Sequence, residues 1–215
     1  MSSRERVLGR VRRALADVPR DEIPYERAVS RDYLREHGSR SVAETVELLA
    51  QNLADYRAVV HRCTDAGLPA VIAGLLGRRG SRSVVVPPGL DPGWLADTEV
   101  TRVADTEDGT AHGLDGVDSV VTGCAVAIAE TGTIVLDGSP DQGRRRITLV
   151  PDHHICVVRV PEQVVASVPR ALGRLDPARP LTWISGPSAT SDIELDRVEG
   201  VHGPRTLEVV LVAAR

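Results

Sequence analysis

The chain has 215 residues and a formal net charge of −4; 42% of its residues are hydrophobic, 26% charged and 2% aromatic. This length is enough for one domain with a substantial core, and the composition is ordinary for a globular protein. The acidic charge and the scarcity of aromatic rings argue against nucleic-acid binding. No apolar run approaches the roughly 20 residues that span a bilayer, and no signal-peptide core follows the amino terminus, so we expect a cytoplasmic protein.

Two residue types exclude particular chemistries. The chain has no lysine, which excludes a pyridoxal Schiff base, a lysine nucleophile and a Walker-type phosphate loop. Arginine cannot replace lysine as a base because it stays protonated. The cysteines Cys63, Cys124 and Cys156 form no CxxC pair, so this chain alone cannot build a four-cysteine iron–sulfur cluster or a structural zinc site. We interpret them as buried free thiols and expect no cofactor in this chain.

Two helices are predicted first. Ser2–Val18 has an apolar stripe at helical spacing and a basic opposite face, and Pro19 ends it. The basic face could contact a partner or an anionic surface, although a solvated face is the simpler interpretation. Asp21–Gly38 predicts an irregular connector. Ser41 and Glu44 form a capping box that starts a second helix. We assign residues 1–57 to a helical arm that is part of the same domain, and residues 58–215 to an α/β core.

From Ala58 onward, short β-branched runs alternate with helical or loop stretches. This alternation predicts an α/β fold with a mostly parallel sheet flanked by helices. The short connections between residues 126 and 160 predict that part of the sheet is antiparallel or mixed. The predicted strands are 58–61, 83–86, 119–121, 126–129, 133–136, 146–150, 155–160, 182–185 and 207–212. The predicted helices are 69–79, 92–96 and 161–174, each of which begins with a proline.

Three glycine-rich stretches at strand ends are candidate ligand loops, because open α/β sheets bind ligands at strand ends. In Ala129–Thr133 a tight turn at Gly132 projects Glu130 and two hydroxyls, with a plain hairpin turn as the alternative. Ser185–Glu194 offers amides and hydroxyls that suit an anion, although its two carboxylates weigh against a bare phosphate. Gly200–Arg205 adds a histidine and a guanidinium suited to carboxylate or phosphate. The candidate ligand-binding residues are Thr131, Gly132, Thr133, Gly186, Ser188, Thr190, Asp192, Glu194, His202, Gly203 and Arg205.

Three further patterns carry weaker signals. His153 and His154 suit a transition metal by residue type, but neighbouring residues of a strand point to opposite faces, so we predict no metal site. The Arg144–Arg146 run is interpreted as a solvated loop, with an anion clamp as the alternative. No G-x-S-x-G elbow is present, which disfavours a Ser-His-Asp hydrolase.

Four stretches together suggest a family. Ala127–Leu136 (AIAETGTIVL), Leu149–Ile155 (LVPDHHI), Ile184–Glu194 (ISGPSATSDIE) and Arg197–Arg205 (RVEGVHGPR) follow one another in the chain. They resemble the sequence blocks of the LutC/YkgG family of LUD-domain lactate utilization proteins, in that family's order. The resemblance covers Ala127 to Arg205, and the amino-terminal helix is consistent with it.

The resemblance implies a fold similar to the NagB/RpiA/CoA-transferase superfamily. It also implies a role in oxidising L-lactate to pyruvate together with two iron–sulfur partner proteins. This chain would then be a non-redox accessory subunit that binds a small anionic ligand at its glycine-rich loops. Two alternatives remain: an acyl- or CoA-transferring enzyme that uses Glu130 as the catalytic nucleophile, by analogy with the wider superfamily, and a pure scaffold subunit.

Overall fold

The amino-terminal part of the chain forms a separate helical unit. In a computed structural model that describes residues 2–17, 29, 34–106, 109–190, 198–199 and 203–213, the chain divides into Met1–Leu34 and Arg35–Arg215. The first unit contains helix α1 (Ser3–Ala14). The Ser2 hydroxyl accepts a hydrogen bond from the Glu5 amide at 3.2 Å, and the Glu5 carboxylate accepts one from the Ser2 amide at 2.6 Å. This capping box satisfies donors that the helix itself leaves unpaired.

The second unit is built around a six-stranded sheet in which every neighbouring pair is parallel. The register places Ser119 and Thr206 on either side of His153, so the starts of three strands lie together. A parallel sheet of this kind needs apolar cover on both faces, which explains its Val-rich strands. In order across the sheet the strands are β1 (Val59–Thr64), β12 (Thr206–Ala213), β7 (His153–Val160), β4 (Ser119–Thr122), β2 (Ser83–Val86) and β3 (Thr101–Ala104).

A second, four-stranded sheet is mixed, as the short connections between residues 126 and 160 predicted. Its order is β8 (Val164–Val165), β5 (Val126–Ile128), β6 (Thr133–Leu136) and β9 (Thr182–Ile184). Strand β6 runs antiparallel to both of its neighbours, and β8 runs parallel to β5. A two-residue antiparallel pair joins β10 (Ala189–Thr190) to β11 (Val198–Glu199).

The helices of this unit have clear sequence signals at their ends. The predicted capping box of the second helix is confirmed, because the Ser41 hydroxyl accepts from the Glu44 amide at 3.3 Å and the Glu44 carboxylate accepts from the Ser41 amide at 2.7 Å. The helices are α2 (Val42–Asp55), α3 (Leu68–Arg79), α4 (Ala111–Asp115) and α5 (Val168–Leu172), with 3-10 turns at Asp65–Gly67, Pro92–Leu95 and Arg145–Thr148. No helix in the described part of the chain has the length and apolarity to cross a bilayer.

The two faces of β7 pack against different partners. Ile155 and Val157 belong to a core that includes the buried leucines of α3. Cys156 and Val158 point the other way, into a core formed with the second sheet and with Leu49 and Leu53 of α2. This alternation is the period of two expected of a strand. Each fully buried leucine stabilises the fold by roughly 1.5–3 kcal/mol relative to exposure.

Most predicted elements are confirmed, and two are wrong. Residues 146–150 form no strand, because Arg145–Thr148 is a 3-10 turn. Ion pairs of Arg144 and Arg146 with Asp105 hold this turn in place. The predicted helix 161–174 is instead β8 followed by the short α5, because the β-branched pair Val164–Val165 adds to the edge of β5. Strand β3 and helix α4 were not predicted. The predicted connector lies mostly outside the described residues.

Candidate functional site

The Ala129–Thr133 turn holds the end of helix α2. Gly132 has a φ of +56°, which glycine adopts without strain. A Cβ at Gly132 would lie 2.7 Å from the carbonyl carbon of Asn52, in the last turn of α2. The Asn52 side-chain amide donates to the Ala129 carbonyl at 2.7 Å. The turn therefore packs backbone against backbone with α2.

Glu130 projects from this turn toward the segment that precedes α2. Its carboxylate accepts hydrogen bonds from the His37 amide at 2.9 Å and lies 3.1 Å from the His37 ring and 3.7 Å from the Arg40 guanidinium. Burial opposes ionisation, but the hydrogen bonds from His37 and the charge of Arg40 outweigh it and hold the pKa of Glu130 below its usual range. Glu130 is thus ionised, and its carboxylate is already engaged by His37 and Arg40.

Gly186 also packs closely against the carboxyl end of α2. Its φ is +83°, and a Cβ there would lie 2.2 Å from the carbonyl oxygen of Tyr56, which caps α2. The Ser185 hydroxyl lies 2.7 Å from that of Thr133. Thr133 in turn lies 2.8 Å from the Thr131 hydroxyl. These contacts join the first two predicted loops into one structure.

A pocket of about 350 Å³ opens beside the second loop. The Ser188 amide donates to the Pro204 carbonyl at 2.8 Å, which joins this loop to the third predicted stretch. Gly186, Ser188 and Gly203 line the pocket, so the structure brings these predicted residues together. None of the described lining residues is acidic. The polar ones with side chains are Arg145, Thr148, His154, Thr182, Ser185 and Ser188.

His154 contributes an uncharged imidazole to this pocket. It is almost fully buried, and its Nε2 lies 2.8 Å from the Thr122 hydroxyl. Burial, assisted by the nearby His153, lowers the pKa of His154 to about 3. The ring is therefore neutral at physiological pH and supplies hydrogen-bonding capacity without charge.

The three consecutive arginines divide into two roles. Arg144 and Arg146 both contact Asp105 and the Thr106 carbonyl. Partial burial opposes ionisation of Asp105, but the hydrogen bonds and charge of Arg144 outweigh it and lower its pKa. Arg145, between them, lines the pocket and is exposed. Its side chain pairs with no carboxylate among the described residues, so an available cation lies at the pocket.

The opposite face of β7 carries a chain of polar side chains. Ser81 bonds to Ser119 at 2.7 Å, Ser119 lies 2.8 Å from Nδ1 of His153, and Nε2 of His153 lies 3.4 Å from Glu208. His61 lies 2.5 Å from the other oxygen of Glu208. The contacts run from serine to histidine to carboxylate, as in a hydrolase triad. Ser119 and His153 are 0% exposed, however, so no substrate reaches them. As predicted, the two adjacent histidines face opposite sides of the strand.

After β2 the chain continues to β3 on one side of the sheet, and after β4 it returns to β7 on the other side. The segment Asp137–Gly143 contacts the chain just beyond the carboxyl ends of both β2 and β4. The Gly89 amide donates to the Pro140 carbonyl at 2.8 Å, and the Gly123 amide donates to the Asp141 carbonyl at 3.0 Å. Burial, with a contribution from the Asp137 charge, raises the pKa of Asp141. The crevice that usually binds ligands in such sheets is thus occupied by the protein itself. The pocket lies at the other end, near the starts of β7 and β12.

The remaining predicted site residues lie apart from the pocket or outside the described chain. Glu130, Thr131, Gly132 and Thr133 are not among its lining residues. The Arg205 guanidinium instead contacts Asp152 at 2.6 Å. Thr190 lies in β10, without a described side chain, and Asp192, Glu194 and His202 lie outside the described residues. The part of the chain that the structure describes contains no cluster of three His, Cys, Asp or Glu side chains placed to hold a metal ion.

Sequence reasoning missed three pocket residues. The residue pattern assigns no role to His154, favours a solvated loop for Arg145 and does not single out Trp183; all three line the pocket. A signal existed for Arg145 in the arginine run itself, for which an anion clamp was the alternative. Nothing in the local sequence indicated Trp183.

The fold and pocket define a parallel α/β protein with an attached mixed sheet and a pocket at the amino ends of its strands. The LUD domain profile matches residues 46–212, and the chain belongs to this family. It is 49% identical over 177 residues to Lactate utilization protein C of Deinococcus radiodurans, covering 80% of this chain and 81% of that protein. It is 36% identical over 106 residues to the Bacillus subtilis protein of the same name, covering 44% of this chain and 42% of that protein.

A solved structure supports the same fold. The crystal structure of a DUF162 family protein from Deinococcus radiodurans is similar to this chain with a TM-score of 0.69 and 41% sequence identity. The match covers 81% of this chain and 99% of that chain. The resemblance found in the sequence blocks is therefore confirmed, and so is the α/β fold class.

Proposed function

We propose that this chain is a non-redox accessory subunit of an L-lactate-oxidising system, in which it binds a small anionic ligand in the pocket beside Ser185–Ser188. The observation that carries the proposal is that Arg145 lines the pocket and that none of the other lining residues in the described part of the chain is acidic. It occurs in a chain that is 49% identical to a protein named Lactate utilization protein C.

The pocket chemistry suits an anion. A guanidinium binds a carboxylate or phosphate through two parallel hydrogen bonds, and such charge-assisted bonds are about twice as strong as neutral ones. Thr148, Ser185 and Ser188, each with a hydroxyl, line the same space. The neutral His154 adds a polar group without a second charge. An anion would therefore meet one cation and several uncharged hydrogen-bonding groups.

The assignment of electron transfer to partner proteins follows from the cysteines. Cys124 and Cys156 are buried in the core, and Cys63 lies on the edge strand β1. A cluster needs about four thiolates close together, which this chain does not have. Iron–sulfur partner proteins are therefore part of the proposal, in keeping with the role that the family resemblance implies.

Genetic complementation tests the proposal. A strain lacking the gene is expected to lose growth on L-lactate and to keep growth on pyruvate. Restoring the wild-type gene or Arg78→Gln, which changes an exposed arginine of α3, should recover growth on L-lactate, whereas Arg145→Gln should not. Normal growth of the deletion strain on L-lactate, with no duplicate gene, would contradict the lactate role. Full rescue by Arg145→Gln would contradict the role of the pocket.

A further inference from the structure

Helix α1 presents an exposed apolar stripe along one face. The stripe consists of Val7, Leu8, Val11 and the C-cap residue Leu15, which recur at helical spacing. The exposed fractions of these four side chains are 60%, 36%, 47% and 56%, and α1 contains no buried residue. A contiguous apolar surface of this kind is typical of helices that bind another surface.

The remainder of α1 is strongly basic. Five arginines against one acidic residue, Glu5, give the helix a formal charge of +4, in a chain whose formal net charge is −4. The Glu5 carboxylate is already bonded to the Ser2 amide at 2.6 Å. A cationic helix with an apolar stripe is the pattern of helices that lie in the interface of an anionic membrane. The exposed arginines are Arg4, Arg6, Arg10, Arg12 and Arg13.

The placement of these arginines favours a lipid surface over a protein groove. With 3.6 residues per turn, Arg10 and Arg12 flank the apolar stripe, whereas Arg6 and Arg13 lie on the far side of the helix. A groove would contact only the side chains at its rim. The field of a charged membrane decays over about 8–10 Å at physiological salt, close to the helix diameter of about 10–12 Å. Arginines on the far side therefore also interact with an anionic membrane.

We propose that α1 binds the surface of an anionic lipid bilayer, with the apolar stripe toward the acyl chains and the arginines at the phosphate headgroups. Guanidinium groups pair with phosphate, and the aliphatic stems of arginine side chains extend along an apolar surface while the charged ends stay in water. Four aliphatic side chains bury little area, so the attachment is reversible and depends on salt. The inference uses neither the pocket nor the lactate role, and it stands or falls independently of them.

Co-sedimentation of the full chain with lipid vesicles tests the inference. The chain should sediment with vesicles of equal parts phosphatidylcholine and phosphatidylglycerol, and it should dissociate at about 0.5 M salt. Each arginine near an anionic surface contributes about fivefold to binding. The arginine variant, Arg6→Gln with Arg13→Gln, should therefore bind about 25-fold more weakly. The valine variant, Val7→Thr with Val11→Thr, should lose about tenfold through its smaller apolar area.

A matched control separates α1 from the charge of the whole chain. Arg78→Gln with Arg82→Gln removes two exposed arginines elsewhere in the chain and should bind like the wild type. Circular dichroism establishes that each variant is folded.

Three results would overturn the inference: no binding to the anionic vesicles, equal binding to vesicles of phosphatidylcholine alone, or wild-type binding by the arginine variant. Equal weakening by the control variant would also overturn it, because the effect would then be one of overall charge. If light scattering shows a dimer that only the valine variant dissociates, and the wild type ignores vesicles, the stripe binds a second copy and the lipid assignment is wrong. A salt-sensitive association that both α1 variants weaken and the control does not would support it.

Discussion

Replacing Gly186 with alanine tests whether this glycine positions helix α2. Its φ of +83° costs an L-residue roughly 1–2 kcal/mol. The new Cβ would also lie 2.2 Å from the Tyr56 carbonyl oxygen, so the end of α2 or the loop must move. Overpacking of this kind typically costs about 1–3 kcal/mol. We therefore expect Gly186→Ala to lower the free energy of unfolding by about 2–5 kcal/mol.

Gly80 provides a matched control for this variant. It caps α3 with a φ of +69°, and a Cβ there would meet nothing within 4 Å. Gly80→Ala should therefore show only the conformational cost of about 1–2 kcal/mol. The difference between the two variants measures the contact with α2. Gly132→Ala, whose Cβ would lie 2.7 Å from Asn52, should resemble Gly186→Ala.

Urea unfolding followed by circular dichroism measures these differences, because the free energy of unfolding extrapolates linearly to water. The expected loss at Gly186 is a large fraction of the roughly 5–15 kcal/mol available to a typical domain. If Gly186→Ala is no more destabilising than Gly80→Ala, the steric reasoning is refuted. A stable Gly186→Ala that fails to bind ligand would instead assign the glycine to the binding site.

Three further predictions concern two ionisable groups, Glu130 and His154. Glu130→Gln should lower the free energy of unfolding at pH 7 by about 1 kcal/mol, the scale of a partly exposed ion pair. Because contacts lower the pKa of Glu130 in the folded state, its stabilisation exists above about pH 4.3 and disappears as the pH falls through the folded pKa, so the variant should differ less from wild type at pH 3. Peptide mapping after incubation with acyl-CoA should show no adduct on Glu130, and a trapped adduct would make the chain an enzyme. The pKa of His154 in the folded chain is about 3, below its unfolded value, so lowering the pH from 7.5 to 5 protonates this histidine only in the unfolded chain. The wild type should therefore lose about 2 kcal/mol more free energy of unfolding over this range than His154→Gln. Equal losses in urea unfolding would contradict a neutral, buried ring.

The sequence predicted elements whose signals are local. The capping box at Ser41 and Glu44 depends on residues three apart, and the strand at 155–160 depends on a continuous apolar run, so both were identified. Strand β3 (Thr101–Ala104) was missed because it is an edge strand with mostly exposed side chains and little apolar pattern. Residues 161–174 were misassigned because the pairing of Val164–Val165 with β5 is a tertiary contact that no local pattern encodes.

The candidate site was predictable to the same degree. Glycine and small polar residues after β9 marked the Ser185–Ser188 loop, and the structure places that loop in the wall of the pocket. Arg145 could not be separated from Arg144 and Arg146 by sequence, because the carboxylate that engages its two neighbours is Asp105, far earlier in the chain. Side chains alternate along β7, so His153 points to the face that carries Glu208 and His154 points to the face of the pocket. The sequence does not show which of the two faces has the pocket.

The glycines that suggested a ligand loop have a structural explanation that also accounts for the pocket. Gly132 lies against Asn52 and Gly186 against Tyr56, four residues apart at the end of α2. The same helix end thus fixes both the turn that carries Glu130 and the loop that carries Ser188. Helix α2 is itself anchored in the core by Leu49 and Leu53. The glycines at 132 and 186 are therefore explained by the close approach of α2, and the second of them lies in a loop that lines the pocket.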